Sequence, residues 1–526
     1  MRDFHQPGRS AVFADQGMCA TSHPLAAQTA IGILQAGGNA VDAAIGAAIL
    51  LGFCEPQMTG IGGDMFAVIK TPGSDDIIGL NASGRAPAGL SAAALRAAGH
   101  ATMPLDSPHA VTVPGAVAGF CKLHGDHGRM PLDQVLAPAI HYAVAGIPVA
   151  PRVAADWNES AASLKGEAAQ SRFLMAGHAP RIGARFAAPG QAEVLKRIAA
   201  QGRAGFYEGE VAADMVASLR ALGGTHTEAD FAAQQADYVT PLRSQYRGAE
   251  LIELPPNGQG AAAMLLLNIL ENFDLAALDP WGAERVHLEA EATKLAYDAR
   301  NRFLADPDHM TRLDHLLSKD TARKLAALID PNHAMADANR TSEAVHKETI
   351  YITVVDRDHM AVSMIYSIFH SFGSGLASDK FGILFHNRGA GFTLAEGHAN
   401  EAAGGKRPMH TIIPAMLKLA DGSVMPFGVM GGAYQAAGHA RFVTNVVDYG
   451  LRPQQVIDAP RTFAELGELK IERGYGADVR AALEAKGHKL VTPNLPIGGS
   501  QAIHIHPDGV LEGGSDPRKD GIALGY

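Results

Sequence analysis

The sequence predicts a layered α/β protein in which sheets are covered by helices. Three observations carry that expectation. Helical periodicity dominates the first two thirds of the chain, hairpin-like runs rich in β-branched residues fill the last third, and helical stretches at 433–450 and 476–487 flank those runs. With 526 residues, 47% of them hydrophobic and 19% charged, the chain can bury a large core. Length alone leaves open whether that core is one continuous body or several domains.

Taken in order, Pro24 to Ala36 reads as a helix, Gly37 and Gly38 stop it, and Asn39 caps a second Ala-rich helix running from Ala40 towards Phe53. Polar and glycine positions interrupt the apolar stretch from Thr29 to Phe53, so it fits packed helices better than a membrane span. Gln57 to Asp64 is a glycine-rich turn leading into a strand from Met65 to Lys70. A phosphate loop would need Lys-Ser/Thr and a strand-to-helix order, and both are missing. From 115 to 330 the pattern is mainly helical, and the Pro-Pro-Asn-Gly-Gln-Gly turn at 255–260 opens one of those helices. Residues 331–348 are polar and weakly periodic, as expected of an exposed, mobile connection. Strand character follows at once in Thr349 to Asp356, then a turn, then a second strand from Ala361 to Phe369. Further hairpins are expected around Asp421-Gly422 and Asp508-Gly509.

A formal charge of −10 with no Lys/Arg run excludes a nucleic-acid surface and an anionic-membrane surface. Cys19, Cys54 and Cys121 are widely spaced and read as free thiols. The first residues have no apolar core of the signal-peptide kind, so a reducing, cytoplasmic setting is expected. The 23 histidines show no HExxH or similar ligand spacing, and no metal or organic cofactor is expected.

Thr349 opens a strand directly after a polar connection. A hydroxyl nucleophile needs a base, and its own α-amine, with a reference pKa near 8, is a serviceable one. That amine would exist only after cleavage between Glu348 and Thr349, at a place where an exposed segment makes cleavage sterically feasible. Met430-Gly431-Gly432 lies between a strand and a helix, where backbone N–H groups without a Cβ in the way can meet a developing oxyanion. Seen alone, the threonine is also a good strand former and the glycine pair an ordinary tight turn.

The segments GGNAVDAAI (37–45), TGIGGDMF (59–66), RAPAG (85–89), VPGAVAGF (113–120), PPNGQG (255–260), EATKLAYDARNRFLADP (291–307), TIYITVVDRD (349–358), FGSG (372–375), KRPMHTIIP (406–414), GVMGG (428–432) and GGSDPR (513–518) together resemble the γ-glutamyltransferase family, in its order and with similar spacing. The resemblance runs over about 18–526. It implies a four-layered αββα N-terminal-nucleophile hydrolase, made as a precursor and cut into a large subunit, 1–348, and a small one, 349–526. The two would form one body as a heterodimer, or a dimer of such heterodimers. By the same resemblance Thr349 is the nucleophile, Ser367 the second hydroxyl that hydrogen-bonds it, and Gly431 and Gly432 the oxyanion hole.

Departures from the family pattern concern the substrate. Ser83, close to Arg85, stands where the family holds a γ-glutamyl carboxylate with an arginine. Phe369, Arg388 and Gly391 stand where an Asn, a Gln and an acidic residue hold the α-amine. His410 and Thr411 replace a serine pair. Losing an acid and gaining an arginine removes the attraction for an ammonium and favours a carboxylate without a neighbouring amine. With HNRGAGF at 386–392, the chain resembles the family branch that contains oxamate amidohydrolases and cephalosporin-type acylases. The expected substrate is a small acidic amide, with oxamate as the leading choice and Arg388, His410, Thr411, Arg85 and Ser83 around it. The alternatives are a γ-glutamyl hydrolase or transferase acting on glutathione-like compounds, a glutaryl or cephalosporin-type acylase, and a relative that never processes.

Overall fold

The computed structural model describes residues 8–335 and 349–526. Its centre is two seven-stranded antiparallel sheets packed face to face. One sheet runs in the order Ile522–Gly525, Gly17–Thr21, Ile350–Asp356, Ala361–Ser367, Asp64–Lys70, Ile77–Ala82 and Asp237–Val239. The other runs Val12–Ala14, Leu511–Ser515, Gly499–Ile505, Val424–Met430, Ala415–Lys418, Ala249–Glu253 and Leu242–Tyr246. Each sheet therefore mixes strands from both sides of Thr349.

Alternation along the strands sorts side chains into three apolar layers. Phe66, Tyr351, Ile365, Met416 and Ile503 meet between the sheets. Ile350, Ile352, Val354 and Met364 turn the other way, against the helices Pro24–Gln35 and Ala40–Cys54. Leu417, Phe427 and Val429 back onto the helices Gly260–Leu270 and Tyr434–Val447. The order is helix, sheet, sheet, helix, the αββα arrangement implied by the resemblance.

Local signals account for most elements. Asn39 caps the second helix in a full capping box with Asp42, whose carboxylate accepts from the Asn39 N–H. Helices begin at Gly260 and Tyr434 as read, and the hairpins Ala415–Lys418 with Val424–Met430 and Gly499–Ile505 with Leu511–Ser515 stand at the Asp-Gly turns. The glycines of the 57–64 turn serve close packing: a Cβ on Gly63 would lie 2.4 Å from the Ser367 carbonyl oxygen.

The middle of the chain is a correction. Asp237–Val239, Leu242–Tyr246 and Ala249–Glu253 are strands inside the span whose pattern is mainly helical. The alternating burial of Leu242–Tyr246 is the pattern of a sheet edge strand, which the helical signal around it masked. Among the described residues the cysteines are free, with Cys19 and Cys54 buried, and no helix is long and apolar enough to cross a membrane. Residues 331–333 of the connection form an exposed bend, whereas 336–348, including Glu348, lie outside the described residues.

Candidate active site

The strands Ile350–Asp356 and Ala361–Ser367 form an antiparallel hairpin in which Ile350 pairs with Tyr366. The next pair outward is Thr349 with Ser367. Both share the parity of Tyr351 and Ile365, so both side chains face the layer between the sheets. Thr349 Oγ1 lies 3.1 Å from Ser367 Oγ. Thr349 and Ser367 are 1% and 0% exposed, which leaves the hydroxyl pair shielded from bulk water.

Arg388 lies in a short helical turn, Arg388–Gly391, and is completely buried. It points inward. Nη2 donates to Ser367 Oγ at 3.3 Å and Nη1 to Thr411 Oγ1 at 3.0 Å, while the guanidinium stacks on the Phe369 ring at 4.1 Å. Phe369 is held at φ +78°, an unusual conformation for a bulky residue, and its N–H donates to Ser367 Oγ. Burial draws the Arg388 pKa down to about 9, with Asp64 opposing, so the group is a cation at neutral pH.

The residue that makes this buried cation tolerable is Asp64, whose role the sequence reading did not assign. Its Oδ2 lies 3.9 Å from Arg388 Nε, and its Oδ1 accepts from the N–H groups of Gly84 and Gly115. Burial works against its ionisation, but His386 and then His410 outweigh it and hold the carboxyl well below the usual range. His410 is driven down to about 3 by burial and by Arg388, and is therefore neutral. Its Nδ1 accepts from the Ile412 N–H, which leaves Nε2–H to donate to Asp64 Oδ2 at 3.1 Å. The available signal was an acid directly after a glycine pair and ahead of an otherwise apolar strand.

A second unassigned residue joins the cluster to the glycine pair. Gln259 Nε2 donates to the carbonyls of both Thr411, at 2.7 Å, and Gly432, at 2.9 Å, and its Oε1 accepts from Arg300 at 2.8 Å. Thr349, Ser367, Arg388, Thr411, Gln259 and Gly432 thus form one connected chain of hydrogen bonds. Gly431 and Gly432 take φ of +117° and +56°, open to glycine at little cost, and stand between the strand Val424–Met430 and the helix Tyr434–Val447. Gly431 also borders a cleft of about 340 Å³ lined by Tyr434, Leu495, Gly498, Lys519 and Arg152.

The remaining substrate candidates separate. Ser83 is buried and accepts from Asn257 Nδ2 at 3.2 Å, while the His410 N–H donates to the Asn257 carbonyl, so Ser83 and His410 share one network. Arg85 points elsewhere: its half-exposed guanidinium donates to the Gly405 carbonyl and lies 3.6 Å from Asp306. Gly391 has no space for a side chain, because a Cβ there would stand 2.3 Å from the Met409 carbonyl oxygen.

Residues 26–526 match the family model described as Gamma-glutamyltranspeptidase. The oxamate amidohydrolase proenzyme of Klebsiella pneumoniae is 36% identical, over 98% of this chain and 100% of its own length. The glutathione hydrolase-like YwrD proenzyme of Bacillus subtilis is 34% identical, over 98% and 99%. Among solved structures, the cephalosporin acylase from Bacillus halodurans superposes with a TM-score of 0.92 at 36% identity, covering 100% of this chain and 99% of that one.

Proposed function

The chain belongs to the gamma-glutamyltranspeptidase family, and from that premise we propose that it is a self-processing amidohydrolase whose nucleophile is Thr349 and whose substrate is a short acidic amide, oxamate being the best fit. Cleavage after Glu348 would leave a large subunit of 1–348 and a small one of 349–526. The Thr349 hydroxyl attacks the Glu348 carbonyl in an N-to-O shift, water hydrolyses the ester, and the α-amine is freed. In turnover that amine takes the Oγ1 proton, Oγ1 attacks the amide carbon, and the Gly431 and Gly432 N–H groups receive the oxyanion. Ser367 holds Oγ1 in place. Ammonia leaves with the transferred proton, and water resolves the acyl-enzyme to oxalate.

One observation carries the substrate size. Thr349 Oγ1 and Arg388 Nη2 both bond Ser367 Oγ, so they stand no more than about 6.4 Å apart. A carboxylate oxygen sits about 2.8 Å from a guanidinium nitrogen, and the attacked carbon about 3 Å from the nucleophile. In oxamate the remaining link, carboxylate oxygen to amide carbon, is about 2.4 Å by ordinary bond lengths, so a slightly bent path spans the gap. A glutaryl or γ-glutamyl chain has three more carbons and would have to fold back on itself. The absence of room at Gly391 for an acid, together with Arg388, disfavours the α-ammonium of a γ-glutamyl group.

A second reading is supported by the cleft beside Gly431, which gives space for a leaving group larger than ammonia, as in an acylase. Three free thiols fit a reducing, cytoplasmic setting. The test is intact mass and N-terminal sequencing of the small fragment, followed by ammonia release from the half-amides of oxalate, malonate, succinate and glutarate and from glutamine. kcat/KM is expected to fall along that series. A small fragment starting anywhere but Thr349, or glutarate half-amide outrunning oxamate, would sink the proposal. Full-length Thr349→Ala chain that stays uncut and inactive is the expected control.

A further inference from the structure

Away from this site, the fold brings together His287, Glu291 and His488, whose ligand atoms lie within 4.8 Å of one another. Sequence spacing hides them, because His488 is 201 residues from His287. His287 and Glu291 stand one turn apart on the helix Ala283–Phe303, and His488 follows the helix Ala477–Ala485. All three are buried, at 1%, 0% and 6% exposure.

We propose that His287 Nδ1, His488 Nε2 and the Glu291 carboxylate form a site for one zinc-class divalent cation, with water as a fourth ligand. Two imidazoles and a carboxylate with an open position are a donor set that zinc accepts. The outer contacts are in place. The His287 Nε2–H donates to the Asp330 carbonyl at 2.8 Å, which turns the Nδ1 lone pair towards His488. Glu291 Oε2 is steadied by the Met335 N–H at 2.8 Å. The hydrogen bond to the His287 Nδ1 lone pair puts the proton of neutral His488 on Nε2, so an ion would bind there as that proton moves to His488 Nδ1.

The protein as described holds the same atoms by other means. His287 Nδ1 and His488 Nε2 are 2.8 Å apart, a hydrogen bond, and the Lys294 ammonium lies on Glu291 Oε1 at 2.7 Å. A tetrahedral ion needs its nitrogens about 3.3 Å apart, so the pair must open by roughly half an ångström. The ion would take the place of the ammonium, and Lys294 would keep its bond to the Met335 carbonyl. Since His488 lies beyond Thr349 and the other two before it, the ion would clamp together the two parts of the chain that processing separates.

The experiment uses purified full-length protein, allowed to process and stripped with chelator, then titrated with Co²⁺ and with Zn²⁺. One equivalent should bind, Co²⁺ should give the intense visible absorption of a tetrahedral site, and the melting temperature should rise. His488→Gln should weaken binding by more than about a hundredfold, whereas Lys294→Gln, which removes the competing cation, should tighten it. Absence of stoichiometric binding in the wild type, or weaker binding in Lys294→Gln, would overturn the proposal. So would a cobalt signal that survives His488→Gln and is lost with His506→Gln, since His504, His506 and Glu512 form the other cluster of this kind among the described residues. If His488→Gln does not fold, the sign of the Lys294→Gln change decides.

Discussion

Replacing Arg388 by methionine tests both the substrate assignment and the electrostatics beneath it. The substitution removes donors to Ser367 and Thr411 and the cation beside Asp64. Each of the two Nη atoms carries a second N–H besides the one already given, and two charge-assisted bonds to a substrate carboxylate are worth about 3–6 kcal/mol together. kcat/KM for oxamate should therefore fall by about 10²–10⁴. Stability should fall too, by about 3–5 kcal/mol if Asp64 stays ionised without its partner. The double variant Asp64→Asn, Arg388→Met separates the two effects. Asparagine keeps an oxygen for the Gly84 and Gly115 N–H groups and loses the carboxylate oxygen that faces His410 and His386, at about 1 kcal/mol for each. Urea unfolding should show the double variant more stable than Arg388→Met alone, while ammonia release stays low in both. An Arg388→Met enzyme that keeps oxamate kcat/KM within threefold would refute the carboxylate role. A double variant no more stable than the single one would refute the Asp64 account.

Acid should destabilise the fold early. Burial lowers His410 to about 3 and His226 to about 4, so between pH 6.5 and those values the unfolded chain binds protons that the native one does not, and each group contributes a loss of up to about 1.4 kcal/mol per pH unit as pH falls. Glu55, raised to about 7 by burial, acts in the opposite sense: its contribution is present at low pH and lost as pH rises through 7. Melts from pH 7 to pH 4 should nevertheless show a net fall, because burial lowers His23 and His504 to about 4 as well, and these shifts act with those of His410 and His226. Activity should rise with pH as the Thr349 amine loses its proton and fall again near pH 9 as Arg388 does, so a flat oxamate profile between pH 8 and 10 would argue against Arg388. Gly391→Asp, which restores the family's acid in sequence, should gain no γ-glutamyl hydrolysis and should lower the melting temperature, because its Cβ must displace the Met409 carbonyl.

What the chain alone determined is what depends on near neighbours. The period of two from Thr349 to Asp356 and from Ala361 onward, with a short turn between, marks a hairpin, whereas Ser367 is implied by the family resemblance and its place beside Thr349 is set by the register of the folded strands. Asn39, Pro24 and the glycine pair at 431–432 likewise mark element ends by local chemistry. Partners far apart along the chain came only from the tertiary structure. That Arg388 points inward follows from Asp64 waiting for it, and that Arg85 points outward follows from the Gly405 carbonyl and Asp306. The strands between 237 and 253 complete the edges of the two sheets and were hidden among helical neighbours. The reason is physical: periodicity reports which face of an element is buried, whereas a buried charge is placed by whichever opposite charge, hydroxyl or carbonyl the folded layers bring within a few ångströms.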